Sequence, residues 1–229
     1  MMGNENFNDV LKKVFNISFL ELDINFDLDK LLQEYELIKN RYKFKNYQTK
    51  YKIVRKKYAR SWSGICLISS DGELYSDMYE GGAGAARETE LKNHCPHFYQ
   101  LIKMLGGEDQ RARIMRISPH ESLVWHSHVQ EHGQQEWKLT VQVPLIMPEQ
   151  FEYCVVNKNE FRWYKRFHKP NWFNNIDRKR LVPGKAYVLN SYHYHNVYNY
   201  SDDYRITLML YLDLRNPKVY DLVERSLNA

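Results

Sequence analysis

The chain has 229 residues, of which 43% are hydrophobic and only 7 are proline, a composition that excludes a disordered chain and predicts a packed globule. Its formal net charge of +5 is modest for this length and allows an acidic partner without demanding one. Because no recognised nucleic-acid module is present, nucleic acid is not an expected partner. No signal-peptide pattern and no long apolar run is present, so we expect no membrane association and a cytoplasmic protein. The cysteines Cys66, Cys95 and Cys154 stand far apart, which predicts buried thiols rather than disulfides or a zinc site.

The N-terminal part of the chain has a helical pattern. Residues 6–42 are predicted to be helical, because apolar residues recur at helical spacing from Leu28 to Ile38. Asp27 suits the N-cap of this segment, since a carboxylate there can accept a hydrogen bond from the first turn. Residues 42–60 are rich in Lys, Arg and Tyr without a clear period, and we interpret them as a solvated connector.

The pattern changes after the connector. Residues 64–69 predict a strand and residues 70–72, Ser-Asp-Gly, a turn. The glycine-rich stretch at 80–86 predicts a loop, and it lacks the following Lys-Ser/Thr of a phosphate-binding loop. Residues 89–105 predict a further helix with Pro96 in a first turn, ended by the glycine pair that follows.

From residue 111 the sequence predicts almost only β-structure. Seven segments fit short strands: RARIMRI (111–117), SLVWHSH (122–128), WKLTVQVPLIM (137–147), FEYCVV (151–156), FRWYKRF (161–167), KAYVLN (185–190) and YRITLMLYLDL (204–214). Helices followed by a run of antiparallel strands predict an α+β protein with a β-sandwich or jelly-roll core.

The chemistry is concentrated in three histidines. His126 and His128 stand at i and i+2, so on a strand their imidazoles share one face and can grip one metal ion. A third imidazole, from His195 or from its neighbour His193, would complete a set of three ligands with open positions. Sites of this kind usually combine two His and a carboxylate around Fe(II), whereas three imidazoles also suit Zn, Ni or Cu.

The last predicted strand supplies an anion-binding group. Ile206, Leu208, Leu210 and Leu212 alternate with Arg205, Thr207, Met209 and Tyr211, so one face packs on the core and the other can line a cavity. Arg205 at the mouth of that cavity could bind a carboxylate through two hydrogen bonds from its planar guanidinium.

The order of these motifs resembles the aspartyl/asparaginyl β-hydroxylase family. The C-terminal part of the resemblance consists of a glycine turn, an H-x-V-x-N motif and an Arg ten residues after its His: Gly184, His195, Val197, Asn199 and Arg205. The N-terminal part consists of Trp62, Leu67, Ser69 or Ser70, Asp71-Gly72, Thr89, Cys95-Pro96, RIMRI and Pro119. Together they extend over about residues 60–214.

The resemblance implies a fold and a set of cofactors. It implies a double-stranded β-helix (jelly-roll, cupin-like) domain over residues 61–229, preceded by a helical extension over residues 1–60. It also implies Fe(II) on His126, His128 and His195, with 2-oxoglutarate and O2 as co-substrates. Arg205 would hold 2-oxoglutarate, and Lys138, Thr140 and Thr207 are further candidates for that role. The substrate would be an amino-acid side chain, free or in a peptide or protein, which is hydroxylated.

The chain departs from the family pattern at several positions. His128 replaces the acidic metal ligand of many relatives, and Lys138 and Thr140 stand near the position of an R-x-H pattern. Tyr204 replaces an Asp before the distal Arg, and Thr207 replaces a His after it. The remaining candidates, for substrate contact, are Arg113, His120, His132, Trp137, His193 and the basic-aromatic segment 161–180.

Two other functions fit the same residues. A cupin-type three-His dioxygenase would use the metal without 2-oxoglutarate, although Arg205 argues against it. A non-catalytic binding protein on an oxygenase scaffold is the second alternative, and the presence of all three histidines together with Arg205 argues against it.

Overall fold

The computed structural model describes residues 4–46, 60–76, 86–128, 137–156 and 174–229. Those ranges contain four α-helices: α1 (Asn4–Phe15), α2 (Leu28–Arg41), α3 (Pro96–Leu105) and α4 (Pro217–Leu227). They contain eleven strands: β1 (Phe19–Glu21), β2 (Lys45–Asn46), β3 (Trp62–Ser69), β4 (Arg87–Glu88), β5 (Ala112–Ile117), β6 (Lys138–Ile146), β7 (Phe151–Val156), β8 (Ile176–Lys179), β9 (Tyr187–Leu189), β10 (His195–Asn199) and β11 (Arg205–Asp213).

The strands form two facing antiparallel sheets. The larger sheet has the order β1-β9-β6-β11-β5-β3-β2, with β4 paired to β3, and the smaller has the order β10-β7-β8. The segment before residue 128 adds isolated bridges at Ser122 and His126 to the free side of β10. This arrangement is the predicted jelly-roll architecture, and closing one sheet over the other leaves an interior between them.

The two faces of the larger sheet are both buried but have different neighbours. One face, which includes Ile114, Val141 and Leu210, packs on the helices in the main core cluster. The opposite face, which includes Met115 and Met209, meets inward side chains of the smaller sheet in a second cluster. The alternation predicted for the last strand is therefore observed in β11, and its Arg205 face turns to the space between the sheets.

The predicted N-terminal helix is in fact two helices separated by a strand. Between α1 and α2, β1 pairs with β9 at an edge of the larger sheet. Asp27 caps α2 as predicted, its carboxylate accepting from Lys30 N at 3.2 Å. Residues 4–46 thus contribute both helices and sheet edges to the same core as the later described residues.

Several other predicted elements differ in extent. The segment 122–128 makes only isolated bridges, and 89–105 splits into a 3₁₀ turn at Glu90–Asn93 and helix α3, with Pro96 in its first turn. Helix α4 was not predicted, although Asn216 caps it and Pro217 opens it. The strand predicted at 161–167 lies outside the described residues.

A buried carboxylate fixes the start of α3. Glu34 on α2 is only 5% exposed, and its oxygens accept from the backbone N–H groups of His97 at 2.8 Å and Phe98 at 3.0 Å. The Nδ1 atom of His97 lies 2.7 Å from the same carboxylate. The N-cap residue of α3, Cys95, makes no side-chain cap of its own, so α2 supplies the acceptor that the helix N-terminus requires.

Replacing Glu34 therefore tests how α2 is joined to the core. Glu34→Ala should lower the free energy of unfolding by about 2–3 kcal/mol, because buried donors lose a charged acceptor. Glu36→Ala is the matched control on the same helix, since Glu36 makes an exposed pair with Lys39, worth less than about 1 kcal/mol. Urea unfolding measures both, and equal losses in the two variants would contradict the capping role.

Candidate metal centre

Three imidazoles meet between the sheets. One ring nitrogen from each of His126, His128 and His195 can be chosen so that all three lie within 4.8 Å of one another. The ring centroids are 4.3 Å apart for His126 and His195, 4.9 Å for His128 and His195, and 5.2 Å for His126 and His128. His128 and His195 are buried, at 5% and 2% exposed. This spacing is that of side chains that can surround one cation.

Backbone pairing holds the first and the third of these histidines opposite each other. His126 N donates to His195 O at 3.1 Å, and His195 N donates to His126 O at 2.9 Å. Such a doubly hydrogen-bonded pair fixes two residues directly across an antiparallel ladder. His128 is fixed separately, through its N–H to Ser191 O at 2.8 Å.

Each ring is also oriented through its Nδ1 atom. Nδ1 lies 2.8 Å from Val124 O in His126 and 3.0 Å from His193 O in His195. Because a carbonyl oxygen only accepts, both Nδ1 atoms carry the proton, and the lone pair that can bind a cation is on Nε2. In His128, Nδ1 contacts Thr140 Oγ1 at 3.3 Å, and that hydroxyl is 2.8 Å from Ser191 Oγ. In their neutral form, imidazoles oriented in this way suit a first-row metal ion.

The sequence left His193 and His195 as alternatives, and the structure groups His195 with the pair. His193 is half-buried, and burial lowers its pKa. Its Nδ1 has no hydrogen-bond partner in the described part of the chain. His193 contributes through its backbone carbonyl, which orients the ring of His195.

Arg205 lines the same cavity as the three histidines. Its side chain is 3% exposed, and it lies over the rings of Phe151 and Tyr153, with its central carbon 5.3 Å and 5.7 Å from their centroids. Burial lowers the pKa of Arg205 to about 10, while neighbouring Tyr153 raises it. Its Nη2 donates to Gln142 Oε1 at 2.9 Å.

The charge of Arg205 is not compensated by a carboxylate within the described ranges, whose salt bridges do not include it. Its Nε atom is buried and lacks a hydrogen-bond partner there. A buried cation without an anion is unfavourable, so this end of the cavity is suited to a carboxylate that arrives with a ligand. The residues present therefore fit both a metal ion and an anionic co-substrate.

Asn199 stabilises the turn between His195 and Arg205. Its side-chain amide donates to Ser118 O at 3.0 Å and to Asp203 O at 2.7 Å, and its Oδ1 accepts from Ser201 Oγ at 2.6 Å. These bonds shape the turn between β10 and β11 and tie it to the loop after β5. The Asn of the H-x-V-x-N motif therefore holds the turn that joins the strand of His195 to the strand of Arg205.

The other predicted co-substrate residues have different surroundings. Lys138 begins β6 opposite Asp213 and does not line the cavity of the histidines. Thr140 contacts His128, and Thr207 contacts Gln142 Oε1 at 3.3 Å and Val143 O at 3.0 Å. Neither threonine lines the cavity of the histidines, whereas Gln142 does. The sequence analysis did not identify Gln142 as a site residue.

The predicted substrate residues are spread more widely. Arg113 is buried and donates to the Tyr211 hydroxyl at 3.2 Å, and the Tyr211 ring lies 6.4 Å from that of His128. His120 is an exposed loop residue that pairs with Asp202 at 2.8 Å, and Trp137 packs beside Arg215 on the helix side. His132 and most of segment 161–180 lie outside the described residues.

A family model for aspartyl/asparaginyl β-hydroxylases matches residues 23–167, well over half of the chain. The chain belongs to this family. It is a non-haem iron oxygenase of the class that uses 2-oxoglutarate. The match begins within the N-terminal part, which the motif resemblance left out, and it ends before His195 and Arg205.

Solved structures share the fold at low sequence identity. An oxidoreductase of the 2OG-Fe(II) oxygenase family from Burkholderia pseudomallei is 13% identical, with a TM-score of 0.52, covering 92% of this chain and 91% of that one. HygX from Streptomyces hygroscopicus, solved with nickel and 2-oxoglutarate bound, is 12% identical, with a TM-score of 0.53 and coverage of 92% and 87%. At these identities the likeness establishes the fold. A comparison with curated proteins gives no significant match.

None of the described helices combines the length and the apolar character needed to cross a membrane.

The choice between the two neighbouring histidines can be tested directly. His195→Ala should weaken Fe(II) or Ni(II) binding at least about 100-fold, because removal of a ligand exceeds the 10–100-fold loss typical of outer-shell changes. His193→Ala is the matched control and should bind the metal within about threefold of wild type, since the main-chain carbonyl that orients His195 remains. Calorimetric titration measures both, and the opposite ranking would contradict the assignment.

Proposed function

We propose that the chain hydroxylates an amino-acid side chain, free or within a peptide or protein, with Fe(II) on His126, His128 and His195. Arg205 holds the distal carboxylate of 2-oxoglutarate in this proposal. The observation that carries it is the buried Arg205, which has no carboxylate partner among the described residues and lies in the same cavity as the three imidazoles. The metal, with 2-oxoglutarate and O2, supplies the oxidising chemistry of the class.

The residues of the chain contribute binding and orientation. The Nδ1–H bonds of His126 and His195 keep those rings in one tautomer, and Thr140 restrains His128. Arg205 is buried and lies over the rings of Phe151 and Tyr153, and this low-dielectric setting strengthens its attraction for a carboxylate. Met115, Met209 and Leu123 line the cavity with apolar surface and favour a dry reaction space.

The three neutral imidazoles do not exclude 2-oxoglutarate. They leave the charge of a divalent metal uncompensated, and a 2-oxoglutarate dianion together with Arg205 balances that charge. A three-His dioxygenase that uses the metal alone would have no need of a buried guanidinium at this position. The same Arg205 argues against a non-catalytic scaffold, because an unused buried cation destabilises the fold.

The first test is co-substrate binding. Adding 2-oxoglutarate to anaerobic, Fe(II)-loaded protein should produce a weak visible charge-transfer band. Arg205→Met should weaken 2-oxoglutarate binding at least about 100-fold, as expected for loss of a buried charged partner. Arg205→Met should unfold at the same or a higher temperature than wild type, because it removes a desolvated charge. Arg116→Met is the control, since Arg116 packs against Phe44 and Tyr204 outside the cavity.

The outcomes separate the candidate functions. Metal binding without the band would favour the three-His dioxygenase, and absence of metal binding would favour the scaffold. With the band present, free amino acids and peptides containing Asp or Asn are tested for the gain of one oxygen atom by mass spectrometry, coupled to succinate release. Succinate release that no amino-acid or peptide substrate stimulates would contradict the proposed substrate class.

A further inference from the structure

The inward face of β6 connects the two ends of the site. Thr140 and Gln142 stand at i and i+2, so both side chains point between the sheets, about 7 Å apart along the strand. Thr140 contacts the metal-ligand candidate His128, and Gln142 contacts Arg205. One strand thus sets the distance between the imidazole cluster and the anion anchor.

The contact with Arg205 shows which atom of the Gln142 amide, the oxygen or the nitrogen, faces the guanidinium. Arg205 Nη2 lies 2.9 Å from the terminal group of Gln142. A guanidinium only donates, so the facing atom is the carbonyl oxygen, and the amide nitrogen with its two N–H donors lies on the other side of the group. Gln142 is 2% exposed and lines the cavity of the three histidines.

The neutrality of Gln142 matters as much as its orientation. A carboxylate at this position would lie against Arg205 and compensate its charge permanently. The amide instead orients the guanidinium while leaving its positive charge for a ligand. Thr207 supports this arrangement, because its hydroxyl lies 3.3 Å from Gln142 Oε1.

We infer that Gln142 is a co-substrate-binding residue: it orients Arg205 and donates its amide N–H to the distal carboxylate of 2-oxoglutarate. This inference rests on the proposed function. It makes the pair of Gln142 and Arg205 selective for a carboxylate over a neutral amide.

Two substitutions of nearly equal size separate charge from packing. Gln142→Glu should weaken 2-oxoglutarate binding at least about 100-fold, because an internal carboxylate occupies Arg205, whereas Gln142→Met should weaken it roughly 10-fold through loss of a charge-assisted hydrogen bond. Affinity is measured by calorimetry on the anaerobic Ni(II)-loaded protein, and Ni(II) affinity itself should stay within about threefold in both variants. Wild type should prefer 2-oxoglutarate strongly over its 5-amide, and Gln142→Glu should reduce that preference at least about 10-fold.

The results can overturn the inference independently of the proposed function. Wild-type 2-oxoglutarate affinity in Gln142→Glu, or equal losses in the Glu and Met variants, would show that Gln142 only packs. If Gln142→Glu does not fold, Gln142→Met decides, and a change of less than twofold overturns the inference. If the wild-type protein binds Ni(II) but not 2-oxoglutarate, the proposed function and this inference are both overturned. If Arg205→Met weakens 2-oxoglutarate binding but neither Gln142 variant does, the inference alone is overturned.

Discussion

The backbone bridge between His126 and His195 is the constraint on which the metal centre depends. Its two hydrogen bonds, of 3.1 and 2.9 Å, join the segment before residue 128 to β10 and bring together imidazoles from two distant parts of the chain. The same pairing continues through Leu123 N to Val197 O and Asn199 N to Glu121 O. The relative position of His126 and His195 is therefore set by backbone pairing.

A second constraint lies across the interior, in the pairing of β6 with β11. It places Thr140 opposite Tyr211 and Gln142 opposite Met209, and its register shifts between Ile206 and Thr207, close to Arg205. Such irregularities often re-aim a side chain beside a functional site. The metal-ligand candidates belong to one sheet and its neighbouring segment, whereas the anion anchor belongs to the other. The closure of the jelly roll is what combines them in one cavity.

The sequence predicted those parts of the fold and site that depend on local patterns. The alternation around Arg205, the cap at Asp27 and the spacing of the histidines are all local. The fold class follows from the order of the predicted helices and strands. The role of Gln142 was not predictable, because it depends on the register between strands more than 60 residues apart in sequence. The capping of α3 by Glu34 likewise joins two elements that no sequence period connects. A strand as short as β1 is too brief to show a period at all.

X-ray absorption spectroscopy of the anaerobic Fe(II)-loaded protein tests most directly whether the three histidines form the metal site. Three imidazole ligands should be resolved in the protein alone, and adding 2-oxoglutarate should introduce additional oxygen scattering without loss of an imidazole. His128→Ala should reduce the imidazole count by one. A wild-type spectrum with two imidazoles, unchanged by the His128 substitution, would contradict the account and exclude His128 from the metal.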